Sequence, residues 1–266
     1  MFHSCCLTIA GSDSGGNAGV QADLRAFHAY GLHGCTVFAV LTAQNPFGVS
    51  AIHPVPADFI AAQLDAVLGV YAVRALKTGM LADPASIEII ADRLVAHPEI
   101  VRVIDPVMIA TSGAKLVSDA AMEVIKAQLL PLATLVTPNI PEAEHLAGVT
   151  GTGRSADAAW AKELARRLHD RYGCSVLVKG GHGVNSAAVD VLFDGQDFEE
   201  FAAPWIPDPV STHGTGCSLA AALAAEFALG RGVSAAVKGA KDYVHKAIAE
   251  SFWVGERCGV LGFVKK

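Results

Sequence analysis

Short, unbroken apolar runs recur along this chain, each followed by a glycine-rich or polar turn and then by a segment of helical length. The runs are Cys6–Ala10, Thr36–Leu41, Val73–Lys77, Val101–Ile104, Leu135–Thr137 and Val176–Val178. A strand with one wet face alternates apolar and polar residues, so a strand apolar throughout is covered on both faces. The intervening segments read as helices over Val20–Tyr30, Asp58–Leu68, Ala85–Val95, Ala120–Leu130 and Ala156–Tyr172. Ala187–Phe193 and Phe198–Ala202 form a hairpin pattern around Asp194-Gly195, and the last third reads as helices Gly216–Leu229 and Val233–Phe252. This order predicts an α/β fold with a mostly parallel central sheet between helices.

Composition limits the function. Hydrophobic residues make up 52% and charged residues 17% of 266 residues, which suits one buried globular domain over 1–266. A net charge of −6 and the lack of a basic block argue against nucleic acid as a partner. No run reaches the ~20 apolar residues of a membrane helix, so no membrane role is expected. Cys5–Ala10 is too short, and lacks the basic flank, for a signal peptide. The six cysteines show neither CxxC nor zinc-ligand spacing and read as reduced thiols of a cytoplasmic protein.

In parallel sheets, ligands bind beyond the carboxyl ends of the strands. The turns there are Gly11–Gly19, Thr42–Gly48, Thr78–Leu81, Asp105–Gly113, Pro138–Glu144 and Gly180–Gly183. Gly11–Asp23 is neither a dinucleotide fingerprint nor a P-loop. Asp23 lies within its helix, as a hydrogen-bond acceptor for a substrate hydroxyl or as a solvated carboxylate. Asp105, and Asn139 with Glu142, suit Mg²⁺ or simple capping. Lys179 before two glycines suits phosphate or a solvated turn. Lys77 reads as structural and Met80 as a pocket wall. The Gln44 amide suits a ring nitrogen and an exocyclic amine, or a turn. The histidines form no HxxxH pair.

The strongest signal is Thr212–Ser218, Thr-His-Gly-Thr-Gly-Cys-Ser, at a helix start. Free amides at such a start bind phosphate, and phosphoryl transfer needs donors aimed at the transferred oxygens. Cys217 falls in the first helical turn, where a thiol pKa is expected to be lowered, making it a proton acceptor. Gly-Thr-Gly alone is weak evidence: Gly151-Thr152-Gly153 also precedes a helix, has no nucleophile after it, and reads as structural.

Taken in order, Gly11–Asp23, LTAQNPFGV at 41–49, KTGML at 77–81, DPVMIATSG at 105–113, TPNIPEAE at 137–144, VKGGH at 178–182 and HGTGC at 213–217 resemble the hydroxymethylpyrimidine/phosphomethylpyrimidine kinases of thiamin synthesis. The resemblance runs from about residue 6 to about residue 250. It implies a ribokinase-like three-layer α/β/α sandwich, usually a homodimer. It implies two ATP- and Mg²⁺-dependent phosphorylations, of 4-amino-5-hydroxymethyl-2-methylpyrimidine and then of its monophosphate. Pyridoxal/pyridoxine kinase, alone or as a second activity, is the rival. Gln44 matches the residue that reads the pyrimidine, and Asp23, Gly11, Met80 and Val107 match pocket positions. Gly214, Thr215 and Gly216 match the anion hole, with Cys217 where sugar kinases carry an aspartate base. Asp105 and Glu142 match the magnesium region. Lys179, with Asn139 and Thr212, falls on the ATP side. Two departures stand out. Asn17 replaces a usual glycine, with a side chain expected to narrow the pocket, and Pro204–Pro209 is proline-rich.

Overall fold

The computed structural model describes residues 4–108, 117–149, 158–180, 187–262 and 264. Nine strands form one sheet: β1 (Cys5–Gly11), β2 (His33–Asn45), β3 (Gly48–Pro54), β4 (Val73–Thr78), β5 (Val101–Ile104), β6 (Leu135–Val136), β7 (Ser175–Val178), β8 (Ala187–Phe193) and β9 (Phe198–Pro204). Their order is β3-β2-β1-β4-β5-β6-β7-β8-β9. The neighbours β2-β1-β4-β5-β6-β7 all pair in parallel, while the pairings β3–β2 at one edge and β7–β8 and β8–β9 at the other are antiparallel.

Both faces of the sheet are apolar because alternate residues of each strand serve different cores. Leu7, Ile9, Val37, Leu76, Ile104 and Val136 belong to one core, covered by α2 (Ala57–Leu68), α3 (Pro84–Val95) and α6 (Ala158–Tyr172). Cys6, Ala75, Val103, Leu135 and Leu177 belong to the other, covered by α1 (Gly19–Ala29), α7 (Thr215–Ala228) and α8 (Val233–Ala249). This is the expected three-layer α/β/α arrangement. Each fully buried Leu or Ile contributes roughly 1.5–3 kcal/mol. In α7 the six residues from Ala220 to Ala225 are all buried, five of them alanines. Small side chains let this helix lie close across β4 and β5, so its N-terminus meets the strand ends at the centre of the sheet.

Local chemistry fixes several ends. Asp83 caps α3 through the Ser86 amide, with Pro84 in the first turn. Ser118 caps α4 (Asp119–Val124) through the Ala121 amide. Asn139 and Glu142 form a reciprocal capping box on α5 (Ile140–Ala147), which ends at left-handed Gly148.

The structure departs from the sequence expectations in four places. Thr42–Gly48 is not a loop: β2 continues to Asn45 and turns into β3. The helix expected over Ala120–Leu130 ends at Val124 and widens into a π turn over Ile125–Leu129. Helix α5 was foreshadowed only by the capping reading of Asn139 and Glu142, with no extent assigned to it. Helix α8 stops at Ala249, and the tail makes a small hairpin of β10 (Phe252–Val254) and β11 (Cys258–Val260). The Gly151–Gly153 control, residues 109–113 and 181–183, and the first residues of the expected helix at 156–157 lie outside the described residues.

Candidate active site

Beyond the carboxyl ends of the parallel strands lies a pocket of about 950 Å³. Its floor begins with the turn after β1. The Asp13 carboxylate accepts the amides of Gly15 at 2.9 Å and of Asn17 and Ala18 at 2.8 Å each. Gly16 and Gly19 take the left-handed conformations, with φ of 75° and 57°. Asn17 does not need one: it is buried, its Nδ2 faces the Cys258 sulfur at 4.0 Å, and it does not line the pocket. The expectation that Asn17 narrows the site is therefore corrected.

The head of α7 sits against this turn. Gly214 has φ of 88°, and a Cβ there would lie 1.9 Å from the Asn17 carbonyl oxygen. Only glycine allows that contact. Gly216 and Cys217 follow in the first helical turn, where amides have no partner within the helix. The Lys179 ammonium stands 3.7 Å from where a Gly216 Cβ would be. A tetrahedral anion placed here meets amides on one side and a lysine on the other.

Gly11, Gln44, Met80 and Val107 line the pocket toward β1, β2, β4 and β5. Ser14 fixes the Gln44 backbone: its hydroxyl accepts from the Gln44 backbone N–H and donates to the Gln44 backbone carbonyl, both at 2.8 Å. Asp105, Asn139, Glu142, Lys179 and Thr212 also line the pocket. The Asp105 carboxylate accepts from Lys179 at 2.9 Å and from the Thr137 hydroxyl at 3.0 Å. Burial works against the Lys179 charge, but Asp105 and then Glu142 outweigh it and raise its pKa. Burial also raises the Glu142 carboxyl, with Asp105 adding to the shift and Lys179 opposing it.

Two expectations are overturned. Asp23 does not line the pocket and is not solvated. Its side chain is wholly buried and takes the Lys77 ammonium on both oxygens, at 3.1 and 2.9 Å, and the Thr8 hydroxyl at 2.6 Å. The two partners are pulled differently. Burial raises the Asp23 carboxyl against its donors, whereas in Lys77 the attraction of Asp23 outweighs burial and raises the pKa. The two-oxygen contact with a third donor settles the pair as charged. Lys77, expected to be structural, also lines the pocket floor. The second correction concerns Cys217. Burial raises its thiol pKa, with Lys77 and the Gly19 amide opposing. The lowering expected from the helix N-terminus does not win, so the resting group at neutral pH is the thiol.

Three features lacked an assigned role in the sequence. Asp13 orders the first turn, and an aspartate two residues before glycine is a recognisable turn signal. His213 Nε2 is buried without a hydrogen bond, 3.9 Å from Asp13 Oδ2. Asp190 accepts from Lys241 at 2.6 Å and from the Gly180 amide at 3.0 Å, tying α8 to the turn that carries Lys179.

Comparison with known proteins agrees with this geometry. The family model for phosphomethylpyrimidine kinase matches residues 13–262. The hydroxymethylpyrimidine/phosphomethylpyrimidine kinase of Synechococcus elongatus is 45% identical over 257 residues, covering 96% of this chain and 95% of the relative. The thiamine biosynthesis bifunctional protein ThiED of Geobacter sulfurreducens is 48% identical over 242 residues, and the match covers 91% of this chain but only 48% of that longer protein. Among solved structures, Bacillus subtilis pyridoxal kinase in its ADP complex superposes with a TM-score of 0.90 at 35% identity, covering 99% of this chain and 98% of that one. The phosphomethylpyrimidine kinase of Clostridium difficile 630 gives 0.80 at 36% identity, covering 92% of this chain and 99% of that one. Fold and pocket together define a ribokinase-like kinase of a small molecule. Within that class, the chain belongs to the phosphomethylpyrimidine kinase family.

Proposed function

We propose that the protein transfers the γ-phosphoryl group of ATP to the hydroxymethyl of 4-amino-5-hydroxymethyl-2-methylpyrimidine. It then phosphorylates the monophosphate to the diphosphate, in thiamin biosynthesis. The observation that carries this is the amide turn of Gly214–Cys217 facing Lys179, with Gln44 lining the same pocket. Gln44 reads the ring nitrogen and exocyclic amine, Met80 and Val107 flank the ring, and Gly11 gives it room. The turn amides and Lys179 hold the transferred oxygens, with Asn139 and Thr212 on the nucleotide side. Phosphoryl transfer has a loose transition state that asks mainly for positioning and charge stabilisation. A thiol raised by burial suits that demand: Cys217 holds the attacking hydroxyl in line and takes its proton only as the minority thiolate.

Asp105 and Glu142 fit Mg²⁺. Among the described residues no group of three His, Cys, Asp or Glu could cage a metal. Mg²⁺ needs no cage, because one or two carboxylates, waters and substrate phosphates complete its shell. When bound, it would neutralise phosphate charge.

A second reading, phosphorylation of pyridoxal or pyridoxine, is supported by the close superposition on the Bacillus subtilis pyridoxal kinase. ADP formation from the pyrimidine alcohol and from each vitamin B6 alcohol, with Mg²⁺, separates the two. Turnover of the B6 compounds but not of the pyrimidine would overturn the first reading. We also propose a homodimer. Leu41, Phe47 and Ile52 on the β2–β3 hairpin, and Phe59 on α2, are exposed by 44, 70, 42 and 60%, and burying such side chains against a second copy supports this state. Light scattering that gives a monomer mass would refute it. A cytoplasmic setting suits six unpaired thiols. No helix among the described residues is long and apolar enough to cross a membrane.

A further inference from the structure

The pocket is larger than one pyrimidine needs, and its two ends differ. Gln44 lies on β2, next to one edge of the sheet, and Trp205 directly follows β9, the opposite edge strand. The anion turn at the head of α7 lies between them, because α7 crosses the sheet over β4 and β5. Phosphoryl transfer happens at that turn. An acceptor ring on the Gln44 side therefore leaves the donor's ring to the Trp205 side.

That side is built for a flat apolar surface. Trp205, Ile206, Val244 and Ile248 line the pocket there. Trp205 is 52% exposed, one of the larger apolar side chains left open to water. Its backbone is held: β9 ends at Pro204, whose carbonyl oxygen lies 3.0 Å from His245 Nε2 on α8. Asp208 just beyond takes a left-handed φ of 45°, so the chain turns sharply back toward the anion turn. An indole at the rim of a ligand pocket, on an anchored backbone, is a stacking platform. Pro204, Pro207 and Pro209 restrict the backbone on either side of the indole, so that backbone has less conformational freedom to lose on binding.

We propose that Trp205 is the residue on which the purine ring of the nucleotide donor stacks, and so a determinant of donor affinity. This rests on the kinase reading above. Stacking of a base on an aromatic side chain supports roughly tenfold in affinity.

The chain has three tryptophans, at 160, 205 and 253, so intrinsic fluorescence reports on this ring. ADP should quench the emission of the wild-type chain, and pyrophosphate, which lacks the base, should not. Trp205→Phe should keep ADP binding by calorimetry within about threefold and lose most of the quench. Trp205→Ala should weaken ADP about tenfold while leaving the KM for the pyrimidine alcohol unchanged. A quench that survives in Trp205→Phe, or wild-type ADP affinity in Trp205→Ala, would overturn the assignment and leave the kinase reading intact. No calorimetric binding of ADP to the wild-type chain, together with no turnover of any alcohol, would overturn both.

Discussion

Replacing Asp23 by Asn tests whether this carboxylate belongs to the substrate pocket or to the core. The exchange preserves volume and removes one charge. Lys77 is then left fully buried, with its ammonium no longer matched on two oxygens. Removing one partner of a buried ion pair costs about 3–5 kcal/mol. In a chain of 266 residues that corresponds to a fall in Tm on the order of 10 °C. Thr8→Val removes only one hydrogen bond to the same carboxylate and should cost about 1.5–3 kcal/mol. The opposite truncation behaves differently. Lys77→Met leaves a carboxyl that burial already raises, and that group can escape its penalty by taking a proton. A carboxyl whose folded pKa is raised favours the folded state below its unfolded value and loses that contribution as pH rises through the folded value. Lys77→Met should therefore be closer to wild type at pH 5 than at pH 8. Urea unfolding at the two pH values, followed by far-ultraviolet circular dichroism, measures each cost. If Asp23→Asn unfolds within about 1 kcal/mol of wild type and instead raises the pyrimidine KM, the carboxylate faces substrate and the reasoning fails.

Other consequences can be checked with single variants. Gly214→Ala should destabilise the fold by more than about 2 kcal/mol, because it combines a left-handed φ with a contact at 1.9 Å; a wild-type urea midpoint would refute this. Gly216→Ala meets only the Lys179 ammonium at 3.7 Å, so it should fold normally yet lose about tenfold or more in kcat/KM, because its methyl occupies the place of the phosphate. Cys217→Ala should lower kcat about tenfold or more with little change in the KM for ATP; unchanged turnover removes any role for the thiol. Gln44→Ala should raise the KM for the pyrimidine more than that for ATP, and an equal rise in both would make the glutamine structural.

Much of the fold was legible because burial on both faces leaves a plain trace: apolar runs without alternation. The elements outside that pattern leave a fainter one. Strand β3 is exposed over most of its length, so it carries no apolar period, and α5 has only eight residues, with a proline in its first turn. Asp23 was misread although its position was informative. Val20, Asp23 and Phe27 share the buried stripe of α1, so a carboxylate in an apolar row called for a buried cation. The identity of that cation was not legible. Lys77, Lys179 and Lys241 meet Asp23, Asp105 and Asp190 across 54, 74 and 51 residues, and no local pattern encodes such pairings. They also change how the site works. Each of these pocket lysines already has a carboxylate, so an incoming phosphate competes for an ammonium rather than meeting a bare one. The donors left uncommitted by helix geometry are the amides at the head of α7. On this account the turn at Gly214–Cys217 discriminates a phosphate from solvent, while the lysines tune the field around it. Substitution at Gly216 should accordingly cost more in turnover than loss of the outlying Lys241.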